Sequence, residues 1–269
     1  MRLFRSGLRK LVRRPATFVT FGLLVGLLAL IYLAVGATAR QQTGDGDGGR
    51  SALLLLTFPG AYTLLLSFIL GLGGLFAMIY GAAIAGSEWT WGTLKSAVAR
   101  GESRSRYQLV SFASIAVMVG IGMVVAFAIG IVVAFIAAVI AQVPTEGISD
   151  GATLRTLPEL LARGWLALAE ACALGFAIAT LARSQLAGIG VGIAVYFGEQ
   201  FASIFLPDIV KYLPFNAANA VVATTSTPGG GGGQIARLDP EVALVVVAAW
   251  LIGALAVTAL FTERAEISG

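Results

Sequence analysis

The sequence predicts an all-α, polytopic membrane protein of six transmembrane helices with both termini in the cytoplasm, preceded by a basic amphipathic interfacial helix. Three observations predict it. First, the 269-residue chain is 58% hydrophobic and only 12% charged, with mean hydropathy +0.89, whereas soluble domains carry about 25% charged and about 45–50% apolar residues. A soluble chain this apolar could not cover its own surface. Second, long apolar runs recur along the whole length, and a membrane helix needs roughly 20 apolar residues. Six such spans plus loops fill residues 1–269 as one membrane domain, with no room for a sizeable soluble one. Third, the basic residues are unevenly shared between alternate loops.

The elements follow in order. Residues 1–15 hold Arg2, Arg5, Arg9, Lys10, Arg13 and Arg14 interleaved with Leu3, Phe4, Leu8, Leu11 and Val12 at helical spacing, a pattern suited to the membrane interface. Pro15 ends it. The run Ala16–Gly36 is longer than the about 7–15 residues of a signal-peptide core, so a retained first span is expected rather than a cleaved signal. A Gly/Asp-rich loop follows at 41–50. The run Leu53–Ala85 would extend about 50 Å as one helix, too long for a hydrocarbon core of about 30 Å. Pro59-Gly60 offers a break, giving a short outer segment over 51–58 and a second span over Ala61–Ala85. Residues 86–106 form a polar, basic segment, and 107–142 an over-long third span. After a polar loop at 143–157, the fourth span is expected over Pro158–Leu181 and the fifth over Leu186–Leu206, with a tight turn at Arg183-Ser184-Gln185. The outer connection 207–241 contains a pentaglycine tract, Gly229–Gly233. It lacks a following Lys-Ser/Thr, so it is read as a linker rather than a phosphate loop. The sixth span is Val242–Phe261.

Orientation follows from the basic residues. With the N-terminus inside, cytoplasmic segments carry twelve Lys and Arg and outer segments six, while the outer segments hold eight acidic residues. The excess of basic charge behind the pI of about 9.5 is therefore a topology signal, and nucleic acid is not an expected partner. Membrane lipid is. Histidine is absent and Cys172 is the single cysteine, which excludes an internal disulfide and the usual zinc or haem ligand sets. No metal site and no catalytic residue are expected.

The most informative stretch runs from Ala85-Gly86-Ser87-Glu88-Trp89-Thr90-Trp91-Gly92-Thr93-Leu94-Lys95 to Ala99-Arg100-Gly101-Glu102-Ser103-Arg104-Ser105-Arg106-Tyr107. Its mixed-sign charges could pair with a soluble partner, Trp89 and Trp91 suit the headgroup level, and Leu94 and Val98 are i, i+4 neighbours on one helical face. An ordinary basic inner loop with an aromatic belt has the same chemistry. The pattern acidic–aromatic–x–x–Gly-Thr-Leu, then Ser-Arg leading into the third span, resembles the cytoplasmic loop of type-2 ATP-binding-cassette (ABC) transporter permeases. The basic interfacial helix, the six spans and the Leu-Ala-Arg-Ser turn at 181–184 extend the match. The family's usual Lys at the start of the third span falls here near Ser111.

The resemblance implies a permease subunit of an exporter in a prokaryotic cell membrane. Residues 86–106 would be the coupling segment docking on a separate ATPase subunit, with Glu88, Trp89, Gly92, Thr93, Leu94, Arg100 and Arg104 at the junction. It also implies a second permease copy, and ATP and Mg bound in the partner subunit. This chain has no Gly-x-x-x-x-Gly-Lys-Ser/Thr, so it is not expected to hydrolyse ATP.

Glu170 and Glu199 lie within the fourth and fifth spans. Intramembrane carboxylates usually face a protein interior or a watery cavity, so both are substrate-path candidates. A packing role for Glu170 and interfacial exposure for Glu199 are the alternatives. Ser184, Gly188 and Gly192 recur at four-residue spacing on the fifth span, as do Gly22 and Gly26 on the first; such spacing lets helices approach closely, within one chain or between two. Two other functional classes stay open, an ATPase-independent channel and an intramembrane enzyme. The second is weakened by the lack of histidine and of any aspartate within the proposed spans. No side-chain constellation selects a substrate.

Overall fold

The computed structural model describes residues 2–39, 53, 55–222 and 238–264, and every regular element among them is helical. The elements are α1 (Arg2–Val12), α2 (Pro15–Ala39), α3 (Gly60–Thr90), α4 (Thr93–Val98), α5 (Arg104–Ala141), a 3₁₀ turn (Glu146–Ser149), α6 (Gly151–Ala182), α7 (Gln185–Ala202), α8 (Pro207–Val210), α9 (Pro214–Ala220) and α10 (Pro240–Arg264). Five of these, α2, α3, α5, α6 and α10, are long and apolar enough to cross a membrane. The 41–50 loop and the pentaglycine tract lie outside the described residues.

Helix ends show where local chemistry overrode the apolar pattern. α6 starts at Gly151, not at Pro158, because the Asp150 side chain accepts from the Thr153 backbone N–H at 2.9 Å and caps the helix. Hydrogen bonds from the Thr153 hydroxyl and then from its backbone N–H hold the Asp150 carboxyl below its usual range. Pro158 is thus carried inside α6. α7 stops at Ala202, four residues short of the span expected there, and has 18 residues. At 1.5 Å per residue it is about 27 Å long. The turn before it is made by Arg183 in the left-handed conformation (φ +50°), followed by Ser184, whose hydroxyl accepts from Ala187 N–H at 3.3 Å.

The bundle is organised on α3 and α6, which pack against each other in parallel, from Leu66 on Gly164 to Met78 on Gly175. Small residues set the separation: a Cβ on Gly175 would meet the Met78 carbonyl, and one on Gly81 would meet the Cys172 carbonyl. α7 closes against the same pair, with Gly188 on the Ala179 backbone and Gly86 on the Gln185 backbone. α2 packs on α5 at Gly36 and Ala137, α10 lies along α6 and α5, and α1 rests on α5.

Cross-contacts define two ends. At one, Arg14 donates to Ser87 Oγ at 3.0 Å, Arg183 sits over both Trp89 and Phe261, and Arg104 reaches the Glu263 carbonyl at 3.4 Å. At the other, Tyr62 donates to the Ile148 carbonyl at 2.6 Å and Arg163 bridges Glu159 and Glu241, each at 2.6 Å. The first and last described residues therefore lie at the same end of the bundle, together with α4.

Candidate functional site

The end that gathers α1, α4 and the first and last described residues is built around a reversal between α3 and α5. Gly92 (φ +64°) and Gly101 (φ +88°) supply the left-handed backbone on either side of α4. Between them the helix turns Leu94 and Ala97 inward, both buried, and leaves Ser96, Ala99 and Arg100 exposed. Thr93 Oγ1 donates to the Glu88 carbonyl at 3.2 Å and Ser96 Oγ to the Gly92 carbonyl at 3.1 Å, fixing the entry into the turn. Trp91, 65% exposed, projects beside α4 with the Arg14 guanidinium 5.1 Å from its ring centre.

Glu88 is the anchor of this junction rather than a contact for a soluble partner. It is only 2% exposed. Its Oε1 accepts from Ser111 Oγ at 3.0 Å and from the Tyr107 hydroxyl at 3.4 Å, and Lys10 Nζ of α1 lies 3.7 Å away. Burial pushes the Lys10 ammonium below its usual value, against the pull of Glu88. The carboxylate thus ties α3 to α5 and α1. Leu94 is buried as well, at 2%. Of the seven residues expected at a docking junction, Glu88 and Leu94 therefore face inward. Arg100 is exposed, Gly92 and Thr93 are half-buried, Trp89 is half-buried under Arg183, and Arg104 points toward the end of α10. Sequence reading missed Lys10 and Tyr107 as partners of Glu88. Ser111 had stood out only as a departure from the resemblance, and it is the shortest donor to the carboxylate.

The two carboxylates expected within spans part company. Glu199, 4% exposed, accepts from the backbone N–H groups of Phe215 and Asn216 at 3.1 and 3.2 Å and from Asn216 Nδ2 at 3.1 Å. It pins the 207–222 connection onto α7, so for Glu199 the alternative of interfacial exposure gives way to a buried tether. Glu170 on α6 is fully buried, and neither carboxyl oxygen has a hydrogen-bond partner. A polar group buried without a partner costs about 1–3 kcal/mol in proteins. The Glu170→Met variant is therefore expected to raise stability by about 1–2 kcal/mol, read as a higher unfolding midpoint in detergent. A lower midpoint would mean that the carboxyl has a partner in the folded protein. Among the described residues, no group of three or more Cys, Asp or Glu is placed to hold a metal ion.

The small-residue stripe resolves by neighbour. Gly188 and Gly192 are buried against Ala179 and Met78 of the same chain, and Ser184 is the cap of α7. Gly22 and Gly26, at the same spacing, have no neighbour within 4 Å of the Cβ position.

A search of curated proteins finds no match. A family model described as Protein of unknown function (DUF2705) matches residues 51–264, which takes in α3 through α10, the α3–α5 reversal and the buried carboxylates Glu88, Glu170 and Glu199. By that match over most of its length, the chain belongs to the DUF2705 family.

Proposed function

We propose that this protein is the membrane-spanning permease subunit of an ABC exporter in the cell membrane. In this reading α7 serves as the sixth span, both termini are cytoplasmic, and α4 with its flanking turns is the segment on which a separate ATPase subunit docks. The observation that carries the reading is the α3–α5 reversal: a short helix between two glycine turns, at the bundle end that also holds the first and last described residues. It is seated by Leu94 and Ala97 and presents Trp91, Ser96, Ala99 and Arg100 outward. A partner pressing on that face would push on Glu88, and through it on α1, α3 and α5. ATP and Mg would bind in the partner, whose closure is the driving step. A second permease copy would complete the pathway. By linkage, substrate and nucleotide would then bias one two-state element.

The face, not the anchor, is the place to test this. Ala99→Trp on that face and Arg106→Glu just beyond it, on the first turn of α5, alter exposed positions without touching the buried seat. An ABC ATPase is expected to co-purify with the wild-type chain from native membranes and to hydrolyse ATP, and both variants to lose that ATPase while eluting as intact membrane protein. A wild-type chain that purifies without an ABC ATPase, or variants that retain it in full, would sink the proposal. An ion path through the membrane without an ATPase is the second reading, favoured by the unpartnered Glu170 alone.

A further inference from the structure

We propose that one phospholipid with a phosphoethanolamine headgroup binds at the α1 end of the bundle, its headgroup between α1, α3, α4 and α5 and one acyl chain in the cleft beside α2. The proposal does not depend on the transport reading. A polar cavity of about 430 Å³ opens at this junction, walled by Lys10, Arg14 and Arg100 as cations, Glu88 as the single carboxylate, and the Thr93 and Ser96 hydroxyls. Two of its groups are incompletely paired. Arg14 Nη2 is buried without a partner, and so is Oε2 of Glu88, a residue 2% exposed. The junction beside the cavity therefore lacks one acceptor for a guanidinium N–H and one donor for a carboxylate, and a turn of the Arg14 or Glu88 terminal group brings either atom to a ligand seated there. Buried polar groups are normally satisfied, and charged ones most strongly.

Free phosphate would satisfy Arg14 and leave Glu88 facing a like charge. A metal cation would satisfy Glu88 and face three cationic side chains. A phosphate joined through two carbons to an ammonium satisfies both, the phosphate on Arg14 and Arg100 and the ammonium N–H on Glu88 Oε2. A choline headgroup has the same charges but no N–H to donate.

An adjoining apolar cleft argues that the headgroup belongs to a lipid. Its volume is about 220 Å³, and Phe21, Leu24, Phe76, Met118 and Met123 line it. Thr17, three residues after Arg14, stands on its rim with its hydroxyl 2.9 Å from that of Tyr80. Phe18 and Ile121, 62% and 54% exposed, flank its opening. The polar cavity and the cleft are thus consecutive along the start of α2, in the order that a headgroup and its chain take at a membrane interface.

The test is native mass spectrometry of the full chain, released from detergent with equimolar phosphatidylethanolamine and phosphatidylcholine of matched chains. One charge-assisted hydrogen bond amounts to about a tenfold preference, so the ethanolamine lipid is expected to be retained about tenfold over the choline lipid. Arg14→Ala and Arg100→Ala are expected to lower retention of both, and Glu88→Gln to remove the preference while keeping the lipid. Gly122→Leu, whose added atoms enter the cleft where the nearest neighbour is Phe21, is expected to reduce retention by crowding the chain, with the cavity untouched. Equal retention of the two lipids overturns the headgroup assignment. Competition by inorganic phosphate or chain-free glycerophosphoethanolamine as effective as by the lipid overturns the cleft. Unchanged retention in Arg14→Ala, Arg100→Ala and Gly122→Leu overturns the site.

Discussion

Gly175→Val is expected to destabilise the protein by about 3 kcal/mol or more, at the upper end of what overpacking costs. The reason is the nature of the obstacle. A Cβ at this position runs into the Met78 carbonyl, which is main chain and has no rotamer to change, and the Gly81–Cys172 contact three residues along repeats the constraint. α3 and α6 must therefore separate along their length for either side chain to fit. Gly190→Ala on α7 is the matched control. It is exposed, with no neighbour within 4 Å, and should be neutral or stabilising by up to about 1 kcal/mol from helix propensity alone. Unfolding midpoints in a denaturing-detergent titration separate the two. A Gly175→Val protein that unfolds with the wild type would mean that α3 and α6 do not touch there. The contact also bears on mechanism: α3 leads into the α4 reversal and α6 carries Glu170, and two backbones packed this closely transmit displacement rather than absorb it.

The long apolar helices and the N-terminal helix were legible in the sequence because length and periodicity report burial directly. The extra turns at the start of α6 were not. Asp150 and Thr153 sit in a polar stretch that reads as loop until their hydrogen bond is seen, and Pro158 looked like a beginning because proline so often is one. Spacing likewise gave a contact without a partner. Gly188 is pressed on α6, whereas Gly22 and Gly26 at identical spacing face open space, so the motif alone says nothing about what fills it. The environment of each carboxylate was the least legible. Glu199 is held by Phe215 and Asn216, beyond a chain reversal that no local pattern announces. Glu88 is held from α1 on one side and α5 on the other, while Glu170, with the least around it to bond, reads most like what it is.

Glu88→Ala is expected to cost about 2–3 kcal/mol, most of it from the hydroxyls of Ser111 and Tyr107 left without their acceptor and less from the lost ion pair. Lys10 decides that ranking. Its side chain is 39% exposed, so its pair with Glu88 is screened by solvent, and exposed or half-exposed pairs contribute about 0–1 kcal/mol. The ammonium is moreover held below its usual value, so burial outweighs the attraction of the carboxylate at that nitrogen. Lys10→Met should accordingly cost under about 1 kcal/mol, and Glu88→Gln, which keeps an acceptor for Ser111 at lower strength, should fall between Lys10→Met and Glu88→Ala. Because Glu88 ties α1 to the bundle, trypsin cleavage at Arg9, Lys10, Arg13 and Arg14 should accelerate in Glu88→Ala. Thermal unfolding and the digestion time course read the two effects separately. If Lys10→Met proves as damaging as Glu88→Ala, the ion pair and not the hydroxyl pair holds the junction, and a partner pressing on α4 would be felt first by the interfacial helix rather than by α5.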